Sequence, residues 1–265
     1  MLTGVLSACL IASANYTINE WLDAEFDRHH PLKKDRPSVA GKVQAKYVYI
    51  EYAILASAGL TLASFLTTEF LIFSATLLLM GILYNVSPFR TKDHVYLDVL
   101  SESINNPLRF LLGWSAVVSG TLPPSSILIA YWMGGAFLMA VKRYAEYRLI
   151  SDHNRAGLYR RSFRFYTEEK LLLSAFFYAL TSAFFLGIFL IKYRVEFLLS
   201  FPLFALLFTW YLAIGLKPHS AAQAPEKLYN ESRFIAFIIL LSSMVAILYV
   251  IDIPWLQIFT VKVRY

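Results

Sequence analysis

The chain has 265 residues, of which 58% are apolar, 16% aromatic and only 16% charged, a balance that excludes a soluble globular domain and makes the bilayer its solvent. A net charge of +6 would suit a nucleic-acid partner if the cations were evenly spread. They collect in alternate loops instead, so no nucleic acid is implied, and the single cysteine, Cys9, excludes an internal disulfide.

Apolar runs fall near 1–20, 47–65, 69–87, 98–118, 124–141, 171–191, 195–215 and 234–253, each long enough to cross a hydrocarbon core about 30 Å thick as a helix. They predict an all-α fold, a polytopic membrane helical bundle of about eight spanning helices. Without a 20- to 50-residue repeat or a Gly/Ser linker, 1–265 is expected to be one domain. Arg28 to Lys46, Arg90 and Lys92, Arg148 to Lys170, and Lys217 to Arg233 crowd every second loop. The positive-inside rule makes those loops cytoplasmic. Only Lys192, Arg194, Lys262 and Arg264 fall on the far side.

Within the first run, Leu6–Ser7–Ala8–Cys9 faintly suggests a lipoprotein cleavage box, but no basic segment precedes it, and processing is not expected. At the end of that run, Asn15, Asn19, Asp23 and Asp27 recur every four residues. At 3.6 residues per turn they form a ridge drifting only about 40° per step. Carboxylates and carboxamides on one ridge suit a hard cation such as Mg²⁺, which shares its coordination with substrate phosphates. The bland reading is a polar helix end snorkelling into headgroups. A cationic, proline-closed loop follows, in which Lys33, Lys34 and Arg36 could grip phosphate oxygens; taken alone it is ordinary positive-inside topology.

Tyr84, Arg90 and Lys92 are placed in the next cytoplasmic loop, with Lys92 in reach of a phosphate. The helix after it carries Asp98, Glu102, Asn105, Asn106 and Arg109 in steps of three and four. Burying Glu102 and Arg109 at membrane depth is costly unless they pair or face a wet cavity, so they line the same cavity or lock helix packing, or both. Lys142, Arg143 and Glu146 end a later spanning helix, where cations also complement the helix dipole. His29, His30, His153 and His219 have no metal-ligand spacing, and Gly-rich phosphate loops, Gly-x-Ser-x-Gly and Cys-x-x-Cys are all missing. An ion-path transporter would call for an inverted repeat or broken helices, and the sequence shows neither.

Asn19-x-x-x-Asp23-x-x-x-Asp27 before a basic Arg-Pro loop resembles the first aspartate-rich motif of the UbiA superfamily of intramembrane prenyltransferases, and "YNVSPFRTK" from Tyr84 to Lys92 is similar to that superfamily's Tyr…Pro…Arg/Lys-x-Lys loop. "DRHHPLKKDRP" from Asp27, "KRYAE" from Lys142 and "RRSFRFYTEEKLL" from Arg160 look most like the polyprenyl-phosphate phosphoribosyltransferase branch. Ordinary prenyltransferases carry a second aspartate-rich motif where Lys142, Arg143 and Glu146 stand here. The stretch "DVLSESINNPLRFLLGW" is more polar than that branch leads one to expect. Nine spanning helices are the family pattern, so the resemblance implies that the first is missing from this chain.

The resemblance implies 5-phosphoribosyl transfer from its 1-diphosphate to polyprenyl phosphate, on the cytoplasmic side of a bacterial inner membrane. Asn19, Asp23 and Asp27 would hold Mg²⁺, the only cofactor expected, with Asp23, Asp27, Lys92 and Glu146 as the catalytic set. Lys34, Arg36 and Lys92 would hold the leaving diphosphate, Lys142 and Arg143 a second phosphate, and Tyr84, Arg90, Glu102, Asn105 and Arg109 would line the substrate cavity. The partners are then a polyprenyl lipid, a diphosphate-bearing small molecule and the membrane. Prenyl transfer from a polyprenyl diphosphate to an aromatic or other small acceptor is the alternative, with the same first motif and the opposite role for the lipid.

Overall fold

α1 (Leu2–Asp27) buries Gly4, Ser7, Ile11, Ala14 and Ile18, spaced by three and four and so on one face. That face meets α2 (Ala45–Ser64) and α3 (Thr68–Asn85). Small residues let the backbones approach, as packing without a hydrophobic driving force requires. Ser7 Oγ donates to Gly59 O at 2.8 Å, and a Cβ on Gly59 would stand 2.6 Å from Ile11 Cγ1. α3 begins with Thr67 as its cap, the hydroxyl accepting from Phe70 N at 3.1 Å.

This computed structural model describes residues 1–218, 220–223 and 225–259, with backbone alone at 225 and 226. His219, Lys262 and Arg264 lie outside the described residues. The chain divides into two compact units, 1–123 with 150–170, and 124–149 with 171–265.

In the first unit, a 3-10 turn at Thr91–Asp93 leads to α4 (Leu97–Ser103) and α5 (Asn105–Ser115). The apolar run at 98–118 was expected to be one spanning helix; it is interrupted at Ile104, whose φ and ψ of −62° and −20° remain right-handed, and Pro107 in the new first turn lacks the N–H of a continuous ladder. Ile11, Ala63, Phe70, Leu77, Leu108 and Leu112 form the apolar core. α7 (His153–Tyr159) belongs to this unit, capped by Asp152, which accepts from Asn154 N and Arg155 N.

The second unit holds most of α6 (Ser125–Ile150) and α8 (Glu168–Tyr193), then a 3-10 turn at Val195–Ser200, α9 (Phe201–Gly215) and α10 (Ser232–Val250). Ser182 Oγ donates to Ala130 O at 2.8 Å, and Phe137 packs edge-on to Phe208 with centroids 4.9 Å apart. Leu173, Phe176, Phe177, Leu180 and Phe184 make an exposed stripe along α8, as a lipid-facing helix presents.

Among the described residues six stretches are long and apolar enough to cross a membrane: α2, α3, α6, α8, Val195–Gly215 and α10. The fold is an all-α membrane bundle. Eight spans were expected. The other two are α1, whose last two turns carry Glu20, Asp23, Glu25 and Asp27, and the interrupted α4–α5 pair.

Candidate functional site

The ridge on α1 divides by depth. Asn15 Nδ2 donates to Leu77 O at 2.9 Å, and a Cβ on Gly81 would stand 2.0 Å from Asn15 Oδ1. Asn15 therefore clamps α1 to α3 through its amide nitrogen, while its Oδ1, which the spacing had suggested as an oxygen ligand, is buried without a hydrogen-bond partner among the described residues. One turn along both helices, Asn19 Nδ2 donates to Asn85 Oδ1 at 2.6 Å, and Asn85 Nδ2 is tied to Gly81 O at 2.9 Å.

Asn85 also receives Lys92 Nζ at 2.7 Å, and the same ammonium donates to Asp23 Oδ1. Arg90 adds Nη2 to Asp23 Oδ1 at 3.1 Å and Nη1 to Asn85 O at 2.9 Å, with Asp93 Oδ2 3.2 Å from its Nε. Its backbone, at φ 29°, is in a region that costs a non-glycine residue about 1–3 kcal/mol; two hydrogen bonds and an ion pair to three residues hold it there. Lys92 is 3% exposed, and burial pulls its pKa down to about 8 against the raising influence of Asp23, with Arg90 and Arg160 lowering it further.

Asp27, the last residue of α1 and beyond its apolar run, is 3% exposed. Burial pushes its carboxyl above the usual range, opposed by Lys33 and by Arg36, whose Nη1 lies 2.8 Å from Asp27 Oδ2. Above these groups the 28–44 loop meets α7: Lys33 Nζ donates to the Tyr159 phenol at 2.5 Å, Arg155 Nε to His29 O at 3.2 Å, and the His30 ring lies 4.6 Å from that of Tyr159. Lys34 is exposed.

Tyr84 lies in the last turn of α3, not in the loop after it, and is buried. Its phenol donates to Glu102 Oε2 at 2.5 Å and accepts from Arg160 Nη1 at 3.3 Å; Lys92 Nζ stands 5.6 Å from its ring centre. Asp98, fully buried, accepts from Ser162 Oγ at 3.0 Å and the Tyr166 phenol at 2.8 Å, fastening the 161–166 segment to α4. Asn105 and Arg109 follow Glu102 down α5.

One cluster thus unites Asn19, Asp23, Lys92 and Arg90, with Tyr84 and Glu102 beside it and the Asp27–Arg36 pair at the end of α1. Asn85 and Arg160 belong to it and had not been singled out from the sequence. In the second unit, Glu146 is fully buried and takes Arg143 Nη1 at 2.8 Å, one turn apart on α6, with Lys142 next in sequence.

The donor set fits a hard divalent cation. Two carboxylates and two carboxamides supply only oxygen donors, and the desolvated Asp27 carboxyl gains from added positive charge. Among the described residues no three His, Cys, Asp or Glu side chains gather around one point. A cation here would complete its coordination with carboxamide and substrate oxygens, the mode typical of Mg²⁺.

Residues 1–241 match the UbiA prenyltransferase family. The chain belongs to that family. It is 34% identical over 164 residues to the decaprenyl-phosphate phosphoribosyltransferase of Mycolicibacterium smegmatis, which is 62% of this chain and 49% of that protein. It is 28% identical over 154 residues to the protoheme IX farnesyltransferase of Alkalihalophilus pseudofirmus, 56% of this chain and 48% of that protein. The chain spans about half the length of the curated relatives it matches. The fold of this UbiA-family chain is similar to a UbiA homolog from Archaeoglobus fulgidus bound to DMAPP and Mg²⁺, with a TM-score of 0.70 and 19% identity over 94% of this chain and 88% of that one.

Proposed function

We propose that this chain is a Mg²⁺-dependent transferase that acts on a polyprenyl substrate and releases diphosphate, its reaction being 5-phosphoribosyl transfer from 5-phosphoribosyl 1-diphosphate to polyprenyl phosphate. One observation carries the first half: Asn19, Asp23 and Asp27 on one ridge, ringed by Lys92, Arg90, Arg36 and Arg160. Charges of both signs so arranged suit a metal-diphosphate better than either ion alone. The second half is supported by the 34% identity to a decaprenyl-phosphate phosphoribosyltransferase and by Arg143 and Glu146 standing where ordinary prenyltransferases carry a second aspartate-rich motif.

Asn19, Asp23 and Asp27 would hold Mg²⁺, which supplies Lewis-acid neutralisation of the leaving group. In transfer, the bond from ribose C1 to the diphosphate oxygen breaks and its electron pair leaves with diphosphate, while a phosphate oxygen of the acceptor forms the new bond to C1. The acceptor oxygen is already ionised, so no general base is required. Lys92, Arg90, Arg36 and Lys34 meet the charge that develops on diphosphate, the electrostatic contribution that usually dominates such catalysis. The 28–44 loop, tied to α7 through Lys33–Tyr159 and His29–Arg155, would shield the reactive carbon from water. Lys142 and Arg143 bind a phosphate and Glu146 orients them. The basic loops support a site on the cytoplasmic side of the membrane, in this reading a bacterial inner membrane.

Prenyl transfer from a polyprenyl diphosphate is the second reading, favoured by the similarity to a farnesyltransferase. One assay separates the two: purified full-length protein in detergent with Mg²⁺, radiolabelled 5-phosphoribosyl 1-diphosphate and polyprenyl phosphate, with Asp23→Ala alongside. Label entering the lipid phase and vanishing in the variant supports phosphoribosyl transfer. No such label, but turnover of a polyprenyl diphosphate with an aromatic acceptor, overturns it.

A further inference from the structure

Arg109 stands out in the first unit. It lies near the middle of α5 and lines a cavity of about 400 Å³ between α1, α3 and α5, whose walls are otherwise apolar, among them Gly4, Ala8, Phe70, Leu77 and Leu112. Among the described residues Arg109 makes no hydrogen bond or ion pair. Arg109 is exposed; in lipid a guanidinium left without an anion beside apolar walls is costly, and such residues mark ligand pathways. One turn toward the cytoplasmic end, Asn105 Oδ1 is buried without a partner. A further turn brings Glu102, already joined to Tyr84 and, through it, to Arg160.

The interruption at Ile104 keeps right-handed backbone, so Glu102, Asn105 and Arg109 share one side. At 1.5 Å per residue Arg109 lies about 10 Å along the helix from Glu102. Its side chain leans toward the helix N-terminus, back toward the carboxylate cluster, while the apolar cavity runs the other way, to Gly113 and Ala116. Cationic head on one side and apolar chamber on the other fit a ligand with an anionic head and an apolar chain.

We infer that Arg109 is the phosphate anchor of the polyprenyl substrate, with the first isoprene units seated in the α1–α3–α5 cavity. The guanidinium fork takes two phosphate oxygens, and Asn105 donates to the head through Nδ2, leaving its buried Oδ1 to accept from the guanidinium. This rests on the polyprenyl part of the proposed function and gives the lipid phosphate a site on α5. It leaves Arg90 and Lys92 for the diphosphate.

The test is binding, read without Mg²⁺ or donor. Thermal shift of the purified full-length protein in detergent is titrated with a short-chain polyprenyl phosphate and with the matching uncharged polyprenol. The wild type is expected to prefer the phosphate at least tenfold; Arg109→Met brings the two within about threefold, and Arg109→Lys is intermediate. Polyprenol binding, kept in both variants, reports an intact cavity, and Asn105→Ala replaces Arg109→Met should that variant not fold. Equal affinity for phosphate and alcohol in the wild type overturns the inference, as does a preference unchanged by Arg109→Met. Weakened binding of 5-phosphoribosyl 1-diphosphate alone also overturns it, assigning Arg109 to the sugar phosphate. Phosphate preference that depends on Arg109 in a protein with no phosphoribosyl transfer refutes the transfer reading and leaves the anchor standing.

Discussion

Replacing Gly81 with alanine tests whether the α1–α3 clamp holds the candidate site in register. The new Cβ would meet Asn15 Oδ1 at 2.0 Å, Cγ at 2.2 Å and Nδ2 at 2.6 Å, against an ordinary contact of 3.4 Å or more. Asn15 cannot simply bend away, because its Nδ2 bond to Leu77 O is the carboxamide's anchor inside the bundle. Turning it out forfeits that bond and strands buried polar groups, about 1–3 kcal/mol; leaving it in place forces the helices apart, overpacking of about 1–3 kcal/mol. The helix propensity gained from glycine to alanine returns at most about 1 kcal/mol. With the full propensity returned the net expectation is a loss of about 0–2 kcal/mol, seen as a lower unfolding temperature in detergent. Asn19 and Asn85 lie one turn further along the same two helices, so transfer activity at a permissive temperature falls as well. Asn15→Ala in the Gly81→Ala background removes the clash and recovers part of the stability, a coupling of about 1 kcal/mol or more in the double-mutant cycle. A cycle with no coupling refutes the clamp.

Lys92 carries a pH signature. Its folded pKa, about 8, lies below the ordinary 10.5, so between those values the unfolded chain binds more protons and the native state gains stability as pH rises; the unfolding temperature of the wild type relative to Lys92→Met should climb from pH 8 to 10.5, and a flat difference refutes the buried ammonium. Arg36→Met removes a group that lowers the Asp27 pKa, so the acid limb of the pH–rate profile moves to higher pH; an unmoved limb means the pair does not tune Asp27. Asp98→Asn puts an NH₂ donor where Ser162 and Tyr166 both donate. The mismatch costs about 1–3 kcal/mol and should release the 155–166 segment to limited proteolysis without altering labelling elsewhere. Cys9, on the wall of the apolar cavity, should be alkylated several-fold more slowly when a polyprenyl phosphate is bound, and equal rates would empty the cavity of its lipid.

The helical ridge was legible because 3.6 residues per turn fixes which side chains share a face before any tertiary contact is known. The same rule stops short at Asn15. Spacing by four could not say that the deepest member of the ridge meets Gly81, a residue 66 positions away with no side chain to announce itself. Asn85 was passed over because it is uncharged and sits between a tyrosine and a loop of cations; the signal was there, a lone carboxamide closing an 18-residue apolar helix four places after that glycine, where lipid offers no hydrogen bonds. Arg160, Ser162 and Tyr166 reach their partners over separations of 64 to 76 residues, which no local period encodes.

The basic loops are where sequence and structure divide most instructively. From sequence, Arg36, Arg90 and Lys92 are accounted for twice, as topology and as phosphate ligands, and nothing chooses between the two. In the folded chain Arg90 and Lys92 lie on Asp23, and Arg36 lies on Asp27. A cation that serves topology alone has no reason to leave solvent, yet Lys92 is buried at the expense of its own protonation. In the proposed function that cost has a reason, because a metal-bound diphosphate would need the ammonium and the carboxylate at one point.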